Sequence, residues 1–149
     1  MTSYSTDSDS PCIALCSTAL GDNVCRGCGR TFIEVAEWSA LPGADKAAIW
    51  DCLPARRQAI ALAACLGRTL EQLDVDEDGT EWARLTHPSA GVVQFALRAD
   101  PDGWRLWARR AGSPSECLTK PLADEAELAE TAARRLVGWL RGEWPAVAD

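Results

Sequence analysis

Four cysteines open the chain in the order Cys12-x3-Cys16-x8-Cys25-x2-Cys28, and no other feature constrains the fold as strongly. Residues 11–30 also hold Gly21, Gly27 and Gly29 but too few apolar side chains for a core, so something other than hydrophobic burial must order them. Disulfides are a poor answer. The chain has 7 Cys, an odd number that forbids complete internal pairing. Its first ten residues, rich in Ser, Thr and Asp, contain neither the basic nor the apolar stretch of a secretory signal. The expectation is a cytoplasmic protein with reduced thiols and a disordered leader over residues 1–10. Thiolates at positions 12, 16, 25 and 28 can converge on one soft cation. Cys25-Arg26-Gly27-Cys28-Gly29-Arg30 has the form of a metal knuckle, in which glycines let the backbone curl and peptide N–H groups donate to sulfur. Metal ligation would then supply the ordering free energy.

Downstream, the pattern becomes that of ordinary secondary structure. Thr31-Phe32-Ile33-Glu34 fits a capping box, with the Thr31 hydroxyl accepting a backbone N–H and the Glu34 carboxylate reaching back. The helix it opens is expected to run to about Leu41, where Pro42-Gly43 stops it. A second helix is expected from about Ala44, with Ala48, Ile49, Cys52 and Leu53 on one side and a kink or restart at Pro54. It resumes through Ile60, Ala63 and Ala64 to a C-cap at Gly67.

Past Gly67 the period changes. Strands are expected over 82–86, 92–98 and 104–110; in the second, Val93, Phe95 and Leu97 alternate with Gln94, Ala96 and Arg98. Ala99-Asp100-Pro101-Asp102-Gly103 is hairpin chemistry, since Pro presets φ and Gly accepts a positive one. Residues 124–142 read as an amphipathic helix with Ala126, Ala129, Ala133, Leu136, Val137 and Leu140 as its apolar stripe. The expected fold class is α+β: a four-cysteine metal knot with two helices over residues 11–67, then a small antiparallel β-meander with a C-terminal helix over 68–149.

Several of these residues together resemble a known family. Ser10-Pro11-Cys12-Ile13-Ala14-Leu15-Cys16, Cys25-Arg26-Gly27-Cys28-Gly29-Arg30-Thr31, Glu34-Val35, Trp38 and Leu53-Pro54-Ala55-Arg56 look like the short bacterial proteins of domain of unknown function 1289, often labelled predicted Fe–S proteins. The resemblance covers about residues 10–57 and implies no particular reaction. It implies Cys12, Cys16, Cys25 and Cys28 as metal ligands. The chain departs from the pattern at Pro42-Gly43, where a serine followed by an acidic residue is expected to open the second helix. Four thiolates would close a zinc site, making it structural. An iron–sulfur cluster would instead imply electron transfer or redox sensing. The gap between Cys16 and Cys25 fits neither ferredoxin spacing well. Cys-x2-Cys-Gly knuckles occur in zinc ribbons and single-iron sites alike, so the reading favours Zn²⁺ and keeps the Fe–S cluster as its alternative.

Other residues carry weaker signals. Cys52, Cys65 and Cys117 read as small core hydrophobes, and His87, before Pro88, as a turn residue. Asp74-Val75-Asp76-Glu77-Asp78-Gly79 imitates the start of a calcium loop, but its twelfth position is Leu85, so it reads as an acidic turn. Trp38, Trp50 and Trp139 fall on core-like helical positions, while Trp104 and Trp107 take opposite faces of one strand beside Arg105, Arg109 and Arg110. Stacked aromatics with arginine can hold single-stranded nucleic acid. A zinc-dependent nucleic-acid binder using Arg26, Arg30 and that strand is therefore a third reading. It is opposed by 15 basic against 22 acidic residues, a net charge of −7. The longest apolar stretch, 59–66, is too short to cross a bilayer. With no phosphate loop, nucleophile elbow or metallohydrolase pattern, the expectation leans away from an enzyme. It points to a metal-binding accessory protein whose acidic α+β half meets another protein.

Overall fold

The computed structural model describes residues 10–12, 24–25, 27–68, 70–88 and 90–143. The leader expected before Ser10, Cys16, Gly21 and Arg26 lie outside the described residues. Along the chain come α1 (Phe32–Glu37), a 3-10 turn (Trp38–Ala40), α2 (Gly43–Cys65), β1 (Gln72–Val75), β2 (Glu81–His87), β3 (Gly91–Asp100), β4 (Gly103–Arg110), β5 (Glu116–Cys117) and α3 (Glu125–Leu140). The class is α+β, as expected. The four-cysteine knot is not something the described residues show.

Local chemistry accounts for most boundaries. The Thr31 hydroxyl accepts from Glu34 N at 3.1 Å and Glu34 Oε1 accepts from Thr31 N at 2.8 Å, so the capping box forms. The first helix passes into the 3-10 turn at Trp38 and is followed by Pro42. Pro42 is the N-cap of α2 without a side-chain bond, and its carbonyl accepts from Asp45 N and Lys46 N, both at 3.1 Å. The helix so opened is continuous through Pro54, which corrects the expected restart. Proline forfeits one backbone bond, but the helix continues where tertiary packing holds the next turns, and here Leu53, Arg56 and Ala59 are all buried.

The five strands form one antiparallel meander in the order β1-β2-β3-β4-β5. Asp100 pairs with Gly103 across the Pro101-Asp102 turn, extending β3 and β4 beyond the periodic residues to the turn itself. Gly103 is required there. Its φ is +136°, and a Cβ would lie 3.0 Å from the Leu122 carbonyl oxygen. That close approach accompanies an isolated bridge in which Trp104 and Leu122 exchange backbone bonds of 2.9 and 2.7 Å.

Alternation turns Leu73, Ala83, Leu85, Val93, Phe95, Leu97, Leu106 and Ala108 to one face of the sheet. Ala59, Leu62 and Ala63 of α2 and Leu128, Ala132, Ala133, Leu136, Trp139 and Leu140 of α3 join them in a single buried cluster, which also takes in Val24. The two helices pack on each other and on this face. The stripe of α3 is thus centred on Leu128, Leu136 and Trp139; Ala126, expected within it, is exposed.

Two core assignments are corrected in α2. Trp50 is 39% exposed, because no residue of that helix before Leu53 is buried and Trp50 precedes the turns seated on the sheet. Cys65 is exposed at the C-terminal end, two residues past the inward Ala63. Cys117 is buried as expected, its thiol donating to the Thr119 carbonyl at 3.2 Å, and Cys52 is half-buried. His87 ends β2 opposite Gly91, so it belongs to the strand and not to the turn after it.

The opposite sheet face has its own order. Trp82 is buried there, with the guanidinium of Arg109 4.3 Å and that of Arg98 5.3 Å from its ring centroid; Arg98 also lies 5.5 Å from Trp107. Of the acidic 74–79 segment, expected as a turn, Asp74 and Val75 end β1 and only the residues after them turn toward β2, and Asp76 is not merely solvated. It accepts from Arg109 at 2.9 and 3.1 Å and from Trp82 Nε1 at 2.7 Å, and these bonds hold its carboxyl below the usual range. Arg105 is likewise paired with Asp100 and Asp102.

Candidate metal centre

Cys25 and Cys28 lie in a tight hairpin that the backbone closes on itself. Val24 and Thr31 form an antiparallel bridge; Cys25 N donates to the Arg30 carbonyl at 2.7 Å, and Gly29 N to the Cys25 carbonyl at 2.7 Å. The reversal needs Gly29. Its φ is +89°, and a Cβ would meet Leu53 Cδ2 at 3.3 Å, so the hairpin lies hard against α2. Both cysteines are buried, at 7% and 1% exposure. Arg30 Nε donates to Cys28 Sγ at 3.3 Å, and the same guanidinium rests 4.9 Å from the Trp38 ring centroid.

Consecutive arginines of α2 fix this hairpin to the rest of the molecule. Arg57 Nε donates to the Cys28 carbonyl at 3.3 Å and Arg56 Nη1 to the Gly29 carbonyl at 3.2 Å. Arg56, 5% exposed, also takes two carboxylates. It meets Glu34 at 2.6 and 3.1 Å and Glu81 at 2.6 and 2.8 Å. Paired and bidentate geometry is what makes a buried guanidinium tolerable. Burial pushes the Glu34 carboxyl up, but the bonds and charge of Arg56, with the Thr31 N–H, outweigh it and leave the group below its ordinary value. Burial disfavours the charged Arg56 too, and its bonds to Glu81 and Glu34 raise its pKa in spite of that. One side chain thereby joins the hairpin, the start of α1 and strand β2. Cys52 lies near this clamp: burial pushes its thiol up, and the Glu81 carboxylate adds to the effect.

Of the four expected ligands, then, Cys25 and Cys28 share one knuckle. Cys12 is exposed, with its backbone N donating to Ser10 Oγ at 3.2 Å, and Cys16 lies outside the described residues. No three His, Cys, Asp or Glu side chains converge among the described residues. The donors that are placed fit a soft cation: two sulfurs at x2 spacing, a glycine reversal after the second, and a permanent positive charge beside a sulfur that would be anionic when metal-bound. Sequence reasoning missed Arg57 and Glu81, and had Arg56 only as part of the family pattern, without its role. Glu34 is legible as a capping residue and as part of the family pattern but not as Arg56's partner, since a clamp that joins residues 29, 34, 56 and 81 leaves no local pattern.

A buried Cys-x2-Cys hairpin on a helix, in front of an α+β body, defines the class. Residues 10–57 match the family model described as Protein of unknown function (DUF1289), which is the family the cysteine motif resembles. The matched segment ends at Arg57, so it contains the hairpin, the capping box and both arginines that hold it, and leaves out the sheet and α3. No curated protein and no solved structure shows a significant match to the chain. No helix among the described residues is long and apolar enough to cross a membrane.

Proposed function

We propose that residues 10–57 hold one metal ion on Cys12, Cys16, Cys25 and Cys28, and that the protein is a cytoplasmic accessory factor in which this centre is structural. The observation that carries the reading is the buried pairing of Cys25 and Cys28 in a glycine-turned hairpin with a cation on the second sulfur. Zinc is the favoured ion, since four thiolates leave it no open position for chemistry. The acidic body would meet a protein partner. Arg105 and Arg109 are already engaged by Asp100, Asp102 and Asp76, which speaks against a free basic surface for nucleic acid on β4.

The same donors suit an iron–sulfur cluster, whose potential would be tuned by a hydrogen bond to sulfur such as that of Arg30. Anaerobic purification followed by an absorption spectrum and elemental analysis separates the two. Colourless protein with one zinc per chain is expected. Brown protein with matched iron and sulfide would replace zinc by a cluster, and protein that neither retains nor takes up metal would end both readings.

A further inference from the structure

Arg30 is 4% exposed, and no carboxylate pairs with it among the described residues. Its contacts are the Cys28 sulfur and the face of Trp38. Buried arginines are ordinarily matched by an anion, because the loss of hydration must be offset by a charge of opposite sign. A ring face attracts a cation without neutralising it. Arg56 of α2, which bonds the Gly29 carbonyl of the same hairpin, shows the ordinary solution with two carboxylates. Arg30 has only sulfur. The neighbouring Trp38 Nε1 is also buried and has no hydrogen-bond partner among the described residues, so this pocket keeps donors unspent.

We infer that Arg30 is the built-in counter-cation of the metal–thiolate centre, a positioning residue whose partner is the charge on metal-bound Cys28. A divalent cation on four thiolates leaves two negative charges, and a buried complex of that sign is stabilised by a cation within hydrogen-bond reach of a sulfur. Arg30 supplies it, its Nε 3.3 Å from Cys28 Sγ. The Trp38 ring, 4.9 Å from the same guanidinium, backs it on another side. The inference rests on the metal reading above and adds to it which residue sets the strength of the centre. Its consequence is selective: loss of the charge should weaken metal binding while the α2–sheet body, whose buried cluster does not include Arg30, stays folded.

The test uses the full chain, zinc affinity by competition with a chromophoric chelator, and cobalt(II) as a spectroscopic probe. R30M is expected to bind zinc about 10- to 100-fold more weakly than the wild type, the usual effect of losing an outer-sphere partner. Its sulfur-to-cobalt charge-transfer band should move to longer wavelength as the unscreened sulfur becomes a better electron donor. R30K, which keeps the charge, should recover part of the affinity. If R30M loses the helical circular dichroism of the body, R30Q, neutral but still able to donate, is read in its place, with the same loss of affinity expected and a smaller shift of the band. Wild-type affinity and an unmoved band in the neutral variant would overturn the role of Arg30 while leaving the metal centre standing. A wild-type protein that takes up neither zinc nor cobalt would overturn the metal reading itself, and the role of Arg30 with it.

Discussion

A guanidinium held by two carboxylates and a carbonyl leaves costly orphans behind when it is removed. Arg56→Met would strand Glu34 and Glu81 half-buried and release the Gly29 carbonyl. We expect a loss of about 3–5 kcal/mol in urea unfolding, the range for breaking a buried ion pair from one side. Glu34 adds a pH signature. Its folded pKa lies below its unfolded one, so its contribution is complete above the unfolded value and disappears as pH falls through the folded value. Stability should therefore fall off on the acid side, from about pH 4.3 downward. Urea midpoints taken stepwise in pH should show a shallower acid limb in Glu34→Gln, and an identical limb would remove Glu34 from the account. None of this is legible in sequence, where Arg56 and Glu81 are 25 positions apart and no local pattern links them. What is legible is the capping half of Glu34, because that bond spans only three residues.

At the scale of elements, boundaries follow from caps and turns. The Asp124 side chain accepts from Ala126 N at 2.9 Å and is the N-cap of α3. Asp124→Ala should cost roughly 1 kcal/mol, lowering the melting temperature by roughly 2–4 °C; a change below 0.5 kcal/mol in thermal unfolding would show the cap to be idle. Gly103→Ala should cost more than about 1 kcal/mol, since it combines a left-handed φ with a Cβ pressed on the Leu122 carbonyl. Loss of amide protection at Trp104 and Leu122 is the accompanying sign. The three longest strands were readable from alternation and from the Asp100–Gly103 turn. By contrast, β1 and β5 were not, being four and two residues long and dependent on their neighbours for pairing. Of the kink or restart expected at Pro54, the restart does not occur, since a local breaker says nothing of the packing that carries the helix through it.

For the whole molecule, the decisive fact is that the cysteine hairpin is not an appendage. Val24 belongs to the same buried cluster as the sheet, and Arg56 spans from Gly29 to β2. Metal bound at the hairpin should therefore stabilise the entire fold. Free zinc at 100 times its dissociation constant should raise unfolding free energy by about 2.7 kcal/mol in a single transition. The sequence places the cysteine motif and the α+β body in separate stretches and is silent on this coupling, because both the cluster and the clamp are long-range. Its most direct test is hydrogen exchange on metal-free protein titrated with zinc. One equivalent should slow exchange across residues 24–31 and, through Arg56, in β2, and Cys25→Ser or Cys28→Ser should abolish both effects. Exchange in the hairpin that is indifferent to zinc in the wild type would contradict the account at its centre.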